Sequence, residues 1–176
     1  MLSDASKCLI NVVAATGPRD FATVGALSGA THNVSFQFDS FRIPLGVYNF
    51  NMASVELTAE NFDATITGND IVFVDFWAEW CGPCRAFAPT FEAASETHTD
   101  VVFGKVDTEA EQQLAAMAGI QSIPTLMAFR EQILVFAQPG ALPPTALEEL
   151  IGAVKGLDMN EVRLKIAEAE AERAEG

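Results

Sequence analysis

The chain has 176 residues, 49% of them hydrophobic and 19% charged, with a formal net charge of −14 at pH 7. That length allows one ordinary domain with an appendage and a sizeable core, and the acidity excludes the basic footprint that nucleic acid requires. Three cysteines, two of them in one Cys-x-x-Cys, are too few for a disulfide framework and suit a reducing compartment. No apolar run approaches the ~20 residues needed to cross a bilayer.

The charge is unevenly placed. Residues 1–51 hold three acids and three bases, whereas residues 52–176 hold 21 acids and 7 bases, which is the whole imbalance. The chain therefore changes character near Met52. Within the first segment, Cys8–Ala15 has the apolar character of a signal-peptide core, but Asn11 interrupts it and Asp4 and Lys7 cancel, so the positive leader is missing. Cys8 follows Lys7 rather than the small residues that precede a lipid-modified cysteine. Asn33–Phe41 alternates like a half-buried strand before Pro44 and Gly46, and nothing else in the segment offers it a partner. Residues 1–51 are expected to be a poorly ordered extension, or to lie upstream of the true start at Met52-Ala53-Ser54.

From Val55 onward the two structural periods alternate. Val55–Leu57 reads as a short edge strand, and Thr58 as the cap of a helix over 59–67 with Phe62 and Ile66 on one face. A turn at Gly68–Asp70 leads into a central strand, Ile71–Phe76. A helix follows the Cys-x-x-Cys and runs to about His98, with Phe87, Phe91 and Ala94 on its apolar face and Pro89 inside it, where a kink is expected. Val101–Val106 is the next strand. Thr108-Glu109-Ala110-Glu111 reads as a capping box opening a helix that Gly119 ends. Leu126–Phe129 and Ile133–Ala137 form a hairpin, and Thr145 caps a helix carrying Leu147, Leu150, Ile151 and Val154. A last helix starts at Asp158. Its apolar side is thin (Val162, Ile166), so docking is expected at its start and fraying in the Ala-Glu repeats beyond. Alternating βαβα, then a hairpin and a helix, predicts an α/β fold with a mixed central sheet covered on both faces.

The chemistry concentrates at Trp80-Cys81-Gly82-Pro83-Cys84, where the central strand, interrupted once by the acid Asp75, meets a helix N-terminus. Unpaired N–H groups and the partial positive charge there stabilise a thiolate. A bare Cys-x-x-Cys is also a zinc half-site. Zinc needs four ligands, and the other candidates are Cys8, His32 and His98, with His98 read as a solvated surface residue, so no metal is expected.

Over about residues 55–156 the chain resembles the thioredoxin family. Asp75 matches its buried acid, Trp77 and Trp80 its active-site tryptophans, Pro89 its helix kink, and Lys105 the lysine beside the acid. Pro124 matches its cis-proline and Gly140 the glycine of its substrate-facing surface. The strings Ile120–Leu126 and Phe136–Pro143 are most similar to cytosolic actinobacterial members. The hairpin turn departs from the family, with Glu131-Gln132 where Asn-Gly is frequent.

The resemblance implies a thioredoxin fold over residues 52–157, with 158–176 as a helical tail, and a protein-disulfide reductase that binds no cofactor. Its redox-active disulfide would join Cys81 and Cys84, and a thioredoxin reductase would recharge it, using NADPH indirectly. Disulfide-containing proteins would be its targets, the cytoplasm its location and the monomer its state, with no nucleic-acid or membrane partner.

Cys81, nearest the helix end, is the expected nucleophile, and Cys84, one turn in, the shielded resolving thiol. Asp75 is the expected proton acceptor for Cys84, through water, the alternative being a polar residue merely satisfied by Lys105. Gly82, Pro83, Lys105 and Pro124 would tune the site, and Trp80, Ile123 and Gly140 would form an apolar docking surface. Arg85 reads either as a steering charge or as a solvated helix residue. Two rival classes stay open: an exported disulfide oxidant or isomerase, and a binding module that uses the fold without turnover.

Overall fold

The computed structural model describes residues 54–175; the expectations for residues 1–51 lie outside the described residues. The fold is organised by β2 (Ile71–Trp77), which pairs parallel with β3 (Val102–Asp107) on one side and antiparallel with β4 (Thr125–Arg130) on the other. With β1 (Val55–Glu56) outside β3, and β5 (Ile133–Pro139) outside β4, the sheet is five-stranded and mixed, in the order β1-β3-β2-β4-β5.

Because side chains alternate along a strand, β2 feeds two cores. Val72, Val74 and Phe76 join Leu57, Phe62, Ile66 and Leu114 under α1 (Phe62–Gly68) and α3 (Gln112–Met117). Ile71 and Phe73 join Phe87, Phe91, Phe103, Leu147 and Ile151 under α2 (Gly82–Thr97) and α4 (Pro144–Lys155). Phe91 meets Phe103 edge-on at 5.1 Å between ring centroids, a favoured aromatic geometry. Gly104 makes the β1 edge possible. A Cβ there would lie 2.2 Å from Leu57 Cδ1, so only the bare backbone lets Leu57 pack beneath the sheet.

The strands follow the expected order, but three helix starts differ. Thr58 does not cap a helix at residue 59: residues 59–61 form a turn in which the Asn61 side chain accepts from the Thr58 N–H at 2.8 Å and donates to the Glu56 carbonyl, and α1 begins at Phe62. The expected capping box at Thr108 is also absent. Thr108 turns back, its N–H and Oγ1 both donating to the Trp77 carbonyl, and α3 starts only at Gln112. The hydroxyl that local propensity assigned to accept a hydrogen bond at a helix cap instead donates to a strand-end carbonyl. Thr145 lies inside α4, whose first residue is Pro144, as suits a residue without a backbone donor.

The last helix, α5 (Met159–Glu175), docks where expected, burying Met159 and Val162 with Ile166 partly covered. It does not dissolve in the Ala-Glu repeats but continues to Glu175, in keeping with the strong helix propensity of both residue types. A Lys165–Glu161 pair supports it one turn apart, and Arg163 pairs with Glu131 of the hairpin turn. That turn has positive φ at both central residues, 49° at Glu131 and 70° at Gln132. It therefore takes the twist-matching hairpin geometry without the Asn-Gly that most readily supplies it. His98 is not simply solvated: half-buried at the end of α2, it bonds Glu148 at 2.8 Å and lies 3.2 Å from the Lys155 ammonium.

Arg130, at the end of β4, closes the junction of α4 and α5. Its Nη1 lies 2.6, 2.8 and 2.9 Å from the carbonyl oxygens of Val154, Lys155 and Leu157. A helix leaves its last carbonyls unpaired and its C-terminus partially negative, and this guanidinium answers both. Arg130→Met is expected to lower stability by about 2 kcal/mol or more, because it strands those carbonyls; a denaturant titration of the oxidised protein measures it.

Candidate active site

The site forms where β2 ends and α2 begins. Cys81 is the N-cap of α2, in extended backbone (φ −77°, ψ 105°), and its Sγ accepts the Cys84 N–H at 3.1 Å. One of the orphan donors at the helix start is thus aimed at sulfur, the arrangement that favours a thiolate there. Pro83 occupies the first turn, where its missing N–H costs nothing, and Gly82 opens the helix with no neighbour within 4 Å of a notional Cβ. Cys81 and Cys84 form a disulfide with Cα atoms 5.2 Å apart. Exposure does not separate the two, at 3% and 1% in this oxidised form; their positions on the helix do.

Trp80 is 68% exposed beside the disulfide, whereas Trp77 is half-buried and packs against the cysteine pair. Ile123 also packs against the pair, and its bond to Pro124 is cis. Gly140, at φ +107°, donates its N–H to the Pro124 carbonyl at 2.8 Å. Only glycine adopts that backbone freely. Of the expected docking surface, Trp80 and Ile123 line one groove of about 460 Å³ with Thr108, Gln112 and Ile120. Gly140 is not part of that lining and reaches the site through Pro124. Arg85 is exposed on α2.

Asp75 lies on the α2 face of β2, two residues beyond Phe73, and is 1% exposed. Neither carboxylate oxygen has a hydrogen-bond partner among the described residues. Burial pushes its carboxyl up to about 7; Lys105 opposes and Glu92 reinforces the rise. The reading of Asp75 as an acid satisfied by Lys105 fails on geometry, because the Lys105 ammonium bonds Glu92 at 3.3 Å and stands 5.0 Å from the Trp77 ring centroid. Glu92, Ser54 and Thr108 are the neighbours that the sequence reading missed. Thr108 gave a misleading signal as a cap, and the other two gave none.

A disulfide at a helix N-terminus, with an aromatic and an aliphatic residue flanking it and an acid buried behind it, defines a thiol–disulfide oxidoreductase site. The thioredoxin family model matches residues 53–153, and the chain belongs to the thioredoxin family. It is 60% identical over 120 residues to a protein of Streptomyces coelicolor that carries the name thioredoxin 2, covering 68% of this chain and 90% of that one. It is 38% identical over 101 residues to the thioredoxin of Bacillus subtilis, covering 57% and 96% respectively. Among solved structures, a point mutant of Halobacterium salinarum thioredoxin superposes with a TM-score of 0.57 at 31% identity over 61% of this chain and 95% of its own. Plasmodium falciparum thioredoxin gives 0.53 at 38%, over 56% and 96%. The protein is a protein-disulfide reductase of the thioredoxin type, and its chemistry is carried by the Cys81–Cys84 pair rather than by a bound cofactor.

The buried acid makes stability depend on pH with a definite sign. Unfolded, Asp75 titrates near 3.8; folded, near 7. Between those values the folded state holds a proton that the unfolded state has lost, so stability falls as pH rises through the window. The loss is at most roughly 4 kcal/mol. Asp75→Asn is expected to flatten that dependence and to be more stable than the parent above pH 7 by about 2–3 kcal/mol, since an amide carries no charge to desolvate. Urea unfolding of the oxidised protein from pH about 4 to about 8 checks both.

Proposed function

We propose that the reduced protein acts on target disulfides through Cys81, with Cys84 resolving and Asp75 taking the proton. The Cys81 thiolate attacks one sulfur of the target disulfide; that bond breaks, the other sulfur leaves as a thiolate, and a mixed disulfide joins Cys81 to the target. The Cys84 thiol then passes its proton to the Asp75 carboxylate and attacks the Cys81 sulfur, releasing the second target sulfur and forming the Cys81–Cys84 disulfide. Two electrons pass from the cysteine pair to the target. The observation that carries this is the placement of Cys81 as the cap of α2, where its sulfur accepts the Cys84 N–H. Asp75 supports it as a buried carboxyl whose pKa lies near neutrality, where it can gain and lose a proton.

Trp80 and Ile123 suit the docking of an extended target segment, with Gly140 holding the Pro124 carbonyl behind them; Gly82, Pro83 and Lys105 tune the pair. A thioredoxin reductase drawing on NADPH is the proposed electron source, the cytoplasm the proposed location and cellular redox homeostasis the proposed role. Among the described residues, no helix is long and apolar enough to cross a membrane.

Cys81→Ser is expected to abolish reduction of an insulin-like disulfide, and Cys84→Ser to accumulate a mixed disulfide through Cys81. Alkylation of the reduced protein that modified Cys84 before Cys81 would reverse the assignment. Asp75→Asn is expected to slow the resolving step most near neutral pH and to converge on the parent at high pH, where the Cys84 thiol ionises unaided. A pH–rate profile parallel to the parent's leaves Asp75 without a role in proton transfer.

Residues 52–157 are proposed as the unit that carries this activity. A chain beginning at Met52 is expected to match the full chain in Tm and turnover; a loss of several degrees, or of most activity, assigns residues 1–51 a part in the domain.

A further inference from the structure

Beneath the redox pair, the charges do not pair in the order the sheet suggests. Asp75 and Lys105 are in register on the parallel strands β2 and β3, so their side chains leave the sheet as neighbours on one face, placed to form an ion pair. Instead the Lys105 Nζ donates to Glu92 Oε1 at 3.3 Å and stands over the Trp77 ring, leaving both Asp75 oxygens without a partner among the described residues. Glu92 lies about two turns along α2 from Cys84. It is also held by Ser54, whose N–H donates to Oε2 at 3.2 Å and whose Oγ donates at 2.5 Å to Oε1, the oxygen that Lys105 bonds.

We propose that Glu92, clamped by Ser54, is a positioning residue of the redox centre: it holds the Lys105 ammonium off Asp75 and so leaves the buried carboxyl without a counter-ion at bonding distance. The proposal rests on the reading of Asp75 as the proton acceptor for Cys84 and adds what keeps Asp75 fit for that task. A carboxyl gripped by an ammonium stays ionised through neutral pH and is a poor proton acceptor. Glu92 prevents this in two ways of the same sign: it occupies the ammonium, and its own negative charge disfavours a second one nearby.

Glu92 is itself reliably charged. Burial pushes its carboxyl up, but the two Ser54 bonds and Lys105 outweigh that and hold it below the usual carboxylate range. Among the described residues, the charges that act on the Asp75 carboxyl are those of Lys105 and Glu92. The cysteine pair lies at the head of α2, and the β4 partner of Asp75 is Leu126. A purely structural tie between Ser54, just ahead of β1, and α2 would change stability without changing how Asp75 titrates.

The test is to follow Asp75 by carboxyl-carbon NMR in the oxidised full-length protein while measuring the pH profile of the resolving step. Glu92→Gln is expected to lower the Asp75 midpoint by roughly one pH unit, and Ser54→Ala to lower it by less. In a Lys105→Met background, the Glu92→Gln shift is expected to shrink by at least half, because there is no ammonium left to release. A midpoint that stays or rises in Glu92→Gln overturns the proposal, as does a shift of undiminished size in Lys105→Met. An unmoved midpoint in Ser54→Ala removes Ser54 from it. If the midpoint falls and the resolving profile does not follow, the proton-acceptor role of Asp75 is wrong while the hold of Glu92 on Lys105 stands.

Discussion

The burial of β2 between two strands and two helical layers is the constraint from which the centre follows. Residues 71–76 are each at most 6% exposed, so the strand can neither slide nor rotate without exposing one of its apolar faces. Its end is therefore a fixed point, and Cys81 is launched onto α2 from that point. The same burial puts Asp75 where no water-like environment compensates its charge. One packing decision thus sets both the helix-end geometry that favours a thiolate and the dry surroundings that raise the carboxyl.

Around this fixed point the polar groups are arranged by competition rather than by simple pairing. Three groups compete for the charge of Lys105: the cross-strand Asp75, the Glu92 carboxylate and the Trp77 ring. The half-exposed Glu92 offers an ion pair without the full desolvation that a buried Asp75 pair would incur. The outcome leaves an unfavourable burial at Asp75. Buried acids without partners are costly everywhere, and the proton transfer proposed for Asp75 is where that cost would have a use.

The C-terminal part adds a second half-buried cation, outside the site. The family match ends at residue 153, yet Arg130 of β4 gathers the carbonyls of Val154, Lys155 and Leu157, and Met159 and Val162 join the core. α5 thereby begins as an integral part of the domain, and its exposed continuation rests on helix propensity and surface ion pairs.

The sequence by itself determined the succession of elements through its alternation of periods, the two-faced sheet through the apolar runs, and the redox pair through Trp-Cys-Gly-Pro-Cys at a strand–helix junction. These are local signals: a period, a turn and a dipole act within a few residues. It misplaced the starts of α1, α3 and α4: the Asn61 side chain ties up the chain ahead of α1, Pro144 opens α4 ahead of Thr145, and the Thr108 hydroxyl, which could have served a cap, goes to the Trp77 carbonyl on another strand. Only the tertiary structure decided that Lys105 bonds Glu92 rather than Asp75, that Ser54 holds Glu92, and that Arg130 closes α4. Each of these joins residues far apart in the chain, and which charge wins a shared partner depends on relative burial, a quantity that exists only once the layers have packed.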